Sequence, residues 1–132
     1  MIFRQCLIIT GMQNKFSGEL KFDNTRPACV QSQLDEVLVS MLLGVSEKLG
    51  RPLYINCGYR SSQYDKEKGR SGQSAHCSGK AVDIFCADNT FRYKLLVHLL
   101  DVGFVRVGIG KNYIHVDIDL KKPYPRIWHY YV

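Results

Sequence analysis

Ser74-Ala75-His76-Cys77-Ser78-Gly79-Lys80-Ala81-Val82-Asp83 is the stretch on which the reading of this chain turns, and His115-Val116-Asp117 answers it downstream. The first piece offers an imidazole and a carboxylate, the second another imidazole. Two His and one Asp form a mixed N/O ligand set of the kind that catalytic zinc uses, with a fourth position open to water. Lys80 to Cys86 alternates and is rich in β-formers, so it reads as a strand. Ala81, Asp83 and Phe85 then share one face, and Val82, Ile84 and Cys86 the other. Tyr113 to Ile118 reads as a second strand, with His115 and Asp117 on a common face. A carboxylate and an imidazole on adjacent strands, with a His from the preceding loop, can meet at one metal. Spacing alone leaves a second reading open, in which both imidazoles are satisfied by structural hydrogen bonds.

Several further pieces occur in a fixed order: Gly58-Tyr59-Arg60-Ser61-Ser62, Gly72-Gln73-Ser74-Ala75-His76, Gly79-Lys80-Ala81-Val82-Asp83 and Ile114-His115-Val116-Asp117. Together they resemble the zinc D-Ala-D-Ala metallopeptidases, a family that includes D-Ala-D-Ala carboxypeptidases and phage endolysins that cut peptidoglycan stem peptides. The resemblance runs from about the helix before Arg51 to the carboxy terminus and is closest to the short single-domain members. It implies one zinc ion held by His76, Asp83 and His115, a stem-peptide substrate, and a cleft-facing Arg60 that binds the substrate carbonyl or a terminal carboxylate. A guanidinium suits that task because it presents two parallel N–H donors. Ser74 matches the Ser two before the His; its hydroxyl either bonds substrate or holds the loop.

Composition sets the bounds. At 132 residues the chain reads as one domain, residues 1–132, with residues 1–24 as a divergent segment. The expected fold is α+β, an antiparallel sheet carrying the metal site with two main helices on its other face, of the hedgehog/DD-peptidase kind. A net charge of +6 favours an anionic partner. The cations are scattered, without an aromatic-interleaved basic run, so an anionic cell wall ranks above nucleic acid. No apolar stretch is long enough to span a membrane, and no signal peptide is evident. The expectation is a monomer made in the cytoplasm that reaches the wall or periplasm after release. Cys6, Cys29, Cys57, Cys77 and Cys86 form no C-x-x-C pair and read as free thiols. Cys77, beside His76, is either a stray metal contact or an inert neighbour.

Along the chain, Phe3–Thr10 reads as an edge strand. A helix is expected from Pro27, capped by Asn24 or Thr25, with Val30, Leu34, Val37, Leu38, Met41, Leu42, Val45 and Leu49 on its apolar face. Leu53–Cys57 reads as a buried strand, and residues 61–72 as a short helix with a solvated charged face. A second helix follows Asp88 or Asn89, with Phe91, Leu95, Leu96, Leu99 and Leu100 inward. Residues 104–118 read as an antiparallel hairpin and Ile127–Tyr131 as a final strand. Trp128 is expected to anchor packing; His98 and His129 fall outside every motif.

One position breaks the resemblance. Many relatives carry Glu or Asp three residues before the last His ligand, as the base for the attacking water; here it is Asn112, which cannot take a proton. Asp117 is the substitute, either activating the water or orienting an imidazole. A non-catalytic, zinc-containing module that binds wall peptides is therefore the alternative to an enzyme. The related hedgehog signalling domains show that this fold can persist without turnover.

Overall fold

The computed structural model describes residues 16–23 and 29–131. Among the described residues six strands form one mixed sheet: β1 (Leu20–Phe22), β2 (Leu53–Cys57), β3 (Ala81–Phe85), β4 (Arg106–Ile109), β5 (Tyr113–Asp117) and β6 (Arg126–His129). Their spatial order is β1-β2-β3-β5-β4-β6. The four central strands are antiparallel, while β1 runs parallel to β2 and β6 parallel to β4. The sheet is thus antiparallel only at its centre. The edge strands reach their places by crossovers, and a crossover permits parallel pairing.

Two helices, α1 (Glu36–Leu49) and α3 (Asn89–Asp101), contribute to the core on one face of this sheet; a short α2 (Ser62–Glu67) lies in the connection between β2 and β3. Alternation decides which face receives them. Val82, Ile84, Ile114 and Val116 are fully buried and pack with Leu38, Leu42 and Val45 of α1 and Leu95 and Leu99 of α3. The intervening residues Asp83, His115 and Asp117 fall on the opposite face. Burial on one side thereby fixes a polar row on the other, because a one-residue slip would exchange the two sets.

Several expectations shift in detail. The proposed start of α1 at Pro27 and its caps Asn24 and Thr25 lie outside the described residues, as does the Phe3–Thr10 strand. Within the described residues, Leu34 is extended and α1 begins at Glu36, because Asp35 accepts the Val37 and Leu38 amides at 2.8 and 3.4 Å. A side-chain cap of this kind requires a non-helical residue at the cap position. Val37 and Leu100, placed on apolar faces by periodicity, are exposed. The hairpin appears as expected, with Val107 opposite Val116 and Ile109 opposite Ile114, and Asp88 caps α3 through the Phe91 amide.

Gly79 is the joint between the His76 turn and β3. It adopts a left-handed φ of 71°, and a Cβ there would lie 2.4 Å from the Gln33 carbonyl oxygen. Its own carbonyl accepts the Asp35 amide at 2.8 Å, tying the joint to the start of α1. Gly69 has a similar φ of 80° but open space around it. Gly69→Ala should therefore cost only backbone strain, about 1–2 kcal/mol. Gly79→Ala should cost more, because a backbone oxygen must also move. Chemical denaturation of the two variants checks the order.

Candidate metal centre

Three backbone devices bring the donors together. His76 sits on a 3₁₀ turn, Ala75–Ser78, that Gly79 closes. Asp83 and His115 are direct cross-strand partners on β3 and β5. The third device is a register shift on β2: Ile55 pairs with Ile84 but Cys57 pairs with Asp83. The shift moves Cys57 from the core face that Leu53 and Ile55 occupy to the polar face, as bulges do.

The donor atoms converge on Asp83. Its Oδ1 lies 3.4 Å from His76 Nε2 and 2.9 Å from His115 Nδ1. The two rings meet edge to face, 5.2 Å between centroids. Hydrogen bonds behind the rings decide which nitrogens are available. His76 Nδ1 lies 2.7 Å from the Gly58 carbonyl, which can only accept, so Nδ1 carries a proton and Nε2 is the nitrogen turned to Asp83. His115 Nε2 lies 2.8 Å from Asp117 Oδ2. The other Asp117 oxygen accepts Arg106 Nε at 2.7 Å and the Asp119 amide at 3.1 Å, so Asp117 is an ionised acceptor and His115 directs Nδ1 at Asp83.

In their neutral forms both imidazoles would turn a lone pair toward the Asp83 carboxylate, an arrangement that calls for a cation. Without a metal the positive charge comes from protons on the imidazoles. Burial disfavours a charged His76, but the hydrogen bond and charge of Asp83, with help from Cys57, outweigh it and push the imidazole up to about 9. His115 moves the same way, against its burial, through Asp117 and Asp83. The carboxyl of Asp83 is held below the ordinary range: both imidazoles overcome the penalty of burial. For comparison, bonds of about 2.0–2.1 Å at tetrahedral angles give ligand–ligand edges of roughly 3.3 Å, close to the two observed separations. The residues fit zinc. The group whose donor atoms all lie within 4.8 Å of one another is Cys57, His76 and Asp83; His115 meets it through Asp83. Cys77 is not in that group.

Asp65 on α2 organises the cleft's rim. It is wholly buried, accepts Ser74 Oγ and the Gly72 amide at 2.8 Å each, and lies 2.9 Å from Arg60 Nε. The Arg60 N–H is not aligned for a hydrogen bond, so the pair is a charge contact. Burial would raise the Asp65 carboxyl; Ser74, the Gly72 amide and Arg60 together keep it low. Ser74 thus gives its hydroxyl proton to Asp65, the loop-holding option of the two open to it. The cleft above has a volume of about 160 Å³, lined by His76, Asp83, His115 and Asp117 with Arg60, Arg70 and Lys122, and with Tyr113, Tyr130 and Trp128. Arg60, Ser74, His76, Asp83, His115 and Asp117 all border it, whereas His98 and His129 do not.

Sequence reasoning missed Cys57, Asp65 and Arg106. Cys57 was concealed by the bulge, since even alternation puts it in the core. Asp65 stood among Lys66, Glu67, Lys68 and Arg70 and read with them as solvated. Arg106 follows two apolar residues in a strand; its alternation with Gly108 toward the polar face was the available signal.

Two imidazoles and a carboxylate on the open face of an α+β sheet, beside a basic cleft, define a metallohydrolase-type centre. The family model described as Peptidase M15 matches residues 14–119, and the chain belongs to that family of zinc metallopeptidases, whose substrates are peptides of peptidoglycan type. No curated protein matches the chain. Among the described residues no helix is long and apolar enough to cross a membrane.

A raised imidazole stabilises the fold while it is protonated. For His76 that contribution is complete below the unfolded value of 6.5 and is lost as pH rises through about 9. Chelator-treated protein should therefore lose melting temperature between pH 6.5 and 9, and zinc, replacing the proton, should flatten that slope. Melting curves across this range with and without zinc test it; parallel slopes would count against a shared proton and metal position.

Proposed function

We propose that this protein hydrolyses a peptide bond in peptidoglycan stem peptides with one zinc ion held by His76, Asp83 and His115, as a D-Ala-D-Ala carboxypeptidase or an endopeptidase of endolysin type. The unit is residues 1–132, acting as a monomer on the wall or periplasm after release, in bacterial or phage service. The observation that carries this reading is the meeting of both imidazoles at Asp83 Oδ1, each ring oriented from behind, in a cleft of about 160 Å³. Zinc, when bound, supplies a Lewis acid for the scissile carbonyl and a water acidic near neutral pH.

The chain's own residues do the rest. Arg60, anchored by the Asp65 carboxylate, offers its guanidinium to the substrate carbonyl or a terminal carboxylate. Arg70 and Lys122 add positive charge at the wall and favour an acidic peptide. Ser74 supports this indirectly by fixing Asp65. Asp117 holds the His115 proton at Nε2. With three acceptor contacts and a depressed carboxyl, Asp117 suits the orienting role better than that of a base.

A second reading, a binding module for the same peptides, draws on that same observation. Both carboxylates lining the cleft, Asp83 and Asp117, already have partners, and residue 112 is Asn. Mass spectrometry of muropeptides incubated with the zinc-loaded protein separates the two. New termini mean an enzyme and name the bond; co-sedimentation with intact peptides means a binder.

Arg60→Lys keeps the charge and loses the fork. Turnover should fall roughly tenfold to a hundredfold, the worth of one hydrogen bond to a charged group, with zinc content unchanged. Full activity in this variant rules the clamp out.

A further inference from the structure

We infer that Arg106 is a positioning residue for the metal centre, acting through Asp117 to fix the proton and orientation of His115, and that β6 is the element that locks it. This rests on the proposed metal site. The chain of contacts is continuous. Arg106 Nε meets Asp117 Oδ1 at 2.7 Å, and Asp117 Oδ2 meets His115 Nε2 at 2.8 Å. The third link runs from His115 Nδ1 to Asp83 Oδ1 at 2.9 Å. A buried cation is costly unless paired and hydrogen-bonded, and Arg106 is 9 % exposed. It is satisfied at two further points. One terminal nitrogen donates to the Pro123 carbonyl at 2.6 Å, and the guanidinium lies over the Trp128 ring at 5.0 Å.

Both of those partners lie past residue 119, beyond the segment matched by the family model. Strand register explains how they reach the site. Gly108 on β4 is the cross-strand partner of His115 on one side and of Trp128 on the other. A Cβ at Gly108 would lie 2.7 Å from Trp128 Nε1. Without one, the indole leans across β4 until its ring is 5.7 Å from the His115 ring. Trp128 therefore touches both ends of the Arg106–Asp117–His115 relay. Its place beside Arg106 limits the rotamers open to the guanidinium and so keeps it on Asp117.

The test reads His115 directly. In protein with ¹⁵N-labelled histidine rings, the His115 Nε2 proton and the His76 Nδ1 proton give separate hydrogen-bonded signals, and the second serves as control. Arg106→Gln should shift the His115 signal or lose it to exchange, leave the His76 signal in place, and weaken zinc binding about 10–100-fold. Asp117→Asn should weaken zinc binding comparably, and the double variant little more than either, since residues acting in one relay are not additive. An unchanged His115 signal with unchanged zinc affinity in folded Arg106→Gln overturns the inference, as do losses that add in full. Should Arg106→Gln fail to fold, Arg106→Lys decides by the same two readings, because a single ammonium cannot hold Asp117 and Pro123 together. If the protein binds no zinc at all, the metal reading fails, while the His115 signal of the metal-free protein still judges Arg106.

Discussion

The pairing of Asp83 with His115 across β3 and β5 is the constraint on which the remainder depends. It is set by the other face of the sheet. Val82, Ile84, Ile114 and Val116 must lie under α1 and α3, and the period of two then leaves no choice for the residues between them. The Asp83 carboxylate is placed by hydrophobic burial, with no polar contact of its own needed to select the register. What the polar face adds is direction. Gly58 O behind one imidazole and Asp117 behind the other convert two ambiguous rings into two aimed nitrogens.

Two buried ion pairs flank the centre and do different work. Arg60 and Asp65 join α2, the Gly72 loop and the cleft rim, so one carboxylate sets both a candidate substrate contact and the loop leading to His76. Arg106 and Asp117 lie at the opposite side, between β4 and β5, and reach the second imidazole. Breaking a buried pair by removing one partner leaves an uncompensated charge, so each pair makes its side of the cleft stiff. The donors are thus held from both sides, by elements distant in the chain.

Much of this was legible in the sequence because it rested on local rules. Alternation placed Asp83 and His115 on a common face, the cap at Asp88 and the turn at Gly110 delimited α3 and the hairpin, and ordered motifs pointed to the family. The parts that were not legible depended on tertiary context. The start of α1 was obscured because Leu34 has the spacing of a helical residue yet is buried in extended backbone. Asp65 became structural only through Ser74 and Gly72, seven or more positions away in the chain. The bulge at Cys57 has no composition signature, since neither Gly nor Pro lies between Ile55 and Cys57.

That bulge gives the centre a chemical asymmetry. It brings one sulfur to within 3.8 Å of the His76 ring, among donors that are otherwise nitrogen and oxygen. Thiolate is a soft ligand, whereas imidazole and carboxylate suit harder ions. A thiophilic ion such as cadmium or mercury thereby meets a foothold at Cys57, His76 and Asp83 that a wholly N/O cluster would deny it. The same sulfur lies next to the Gly58 carbonyl that orients His76. Oxidising Cys57 to a sulfinate would place a bulky anion against that carbonyl, disturbing the centre while both imidazoles and the Asp83 carboxylate stayed chemically intact.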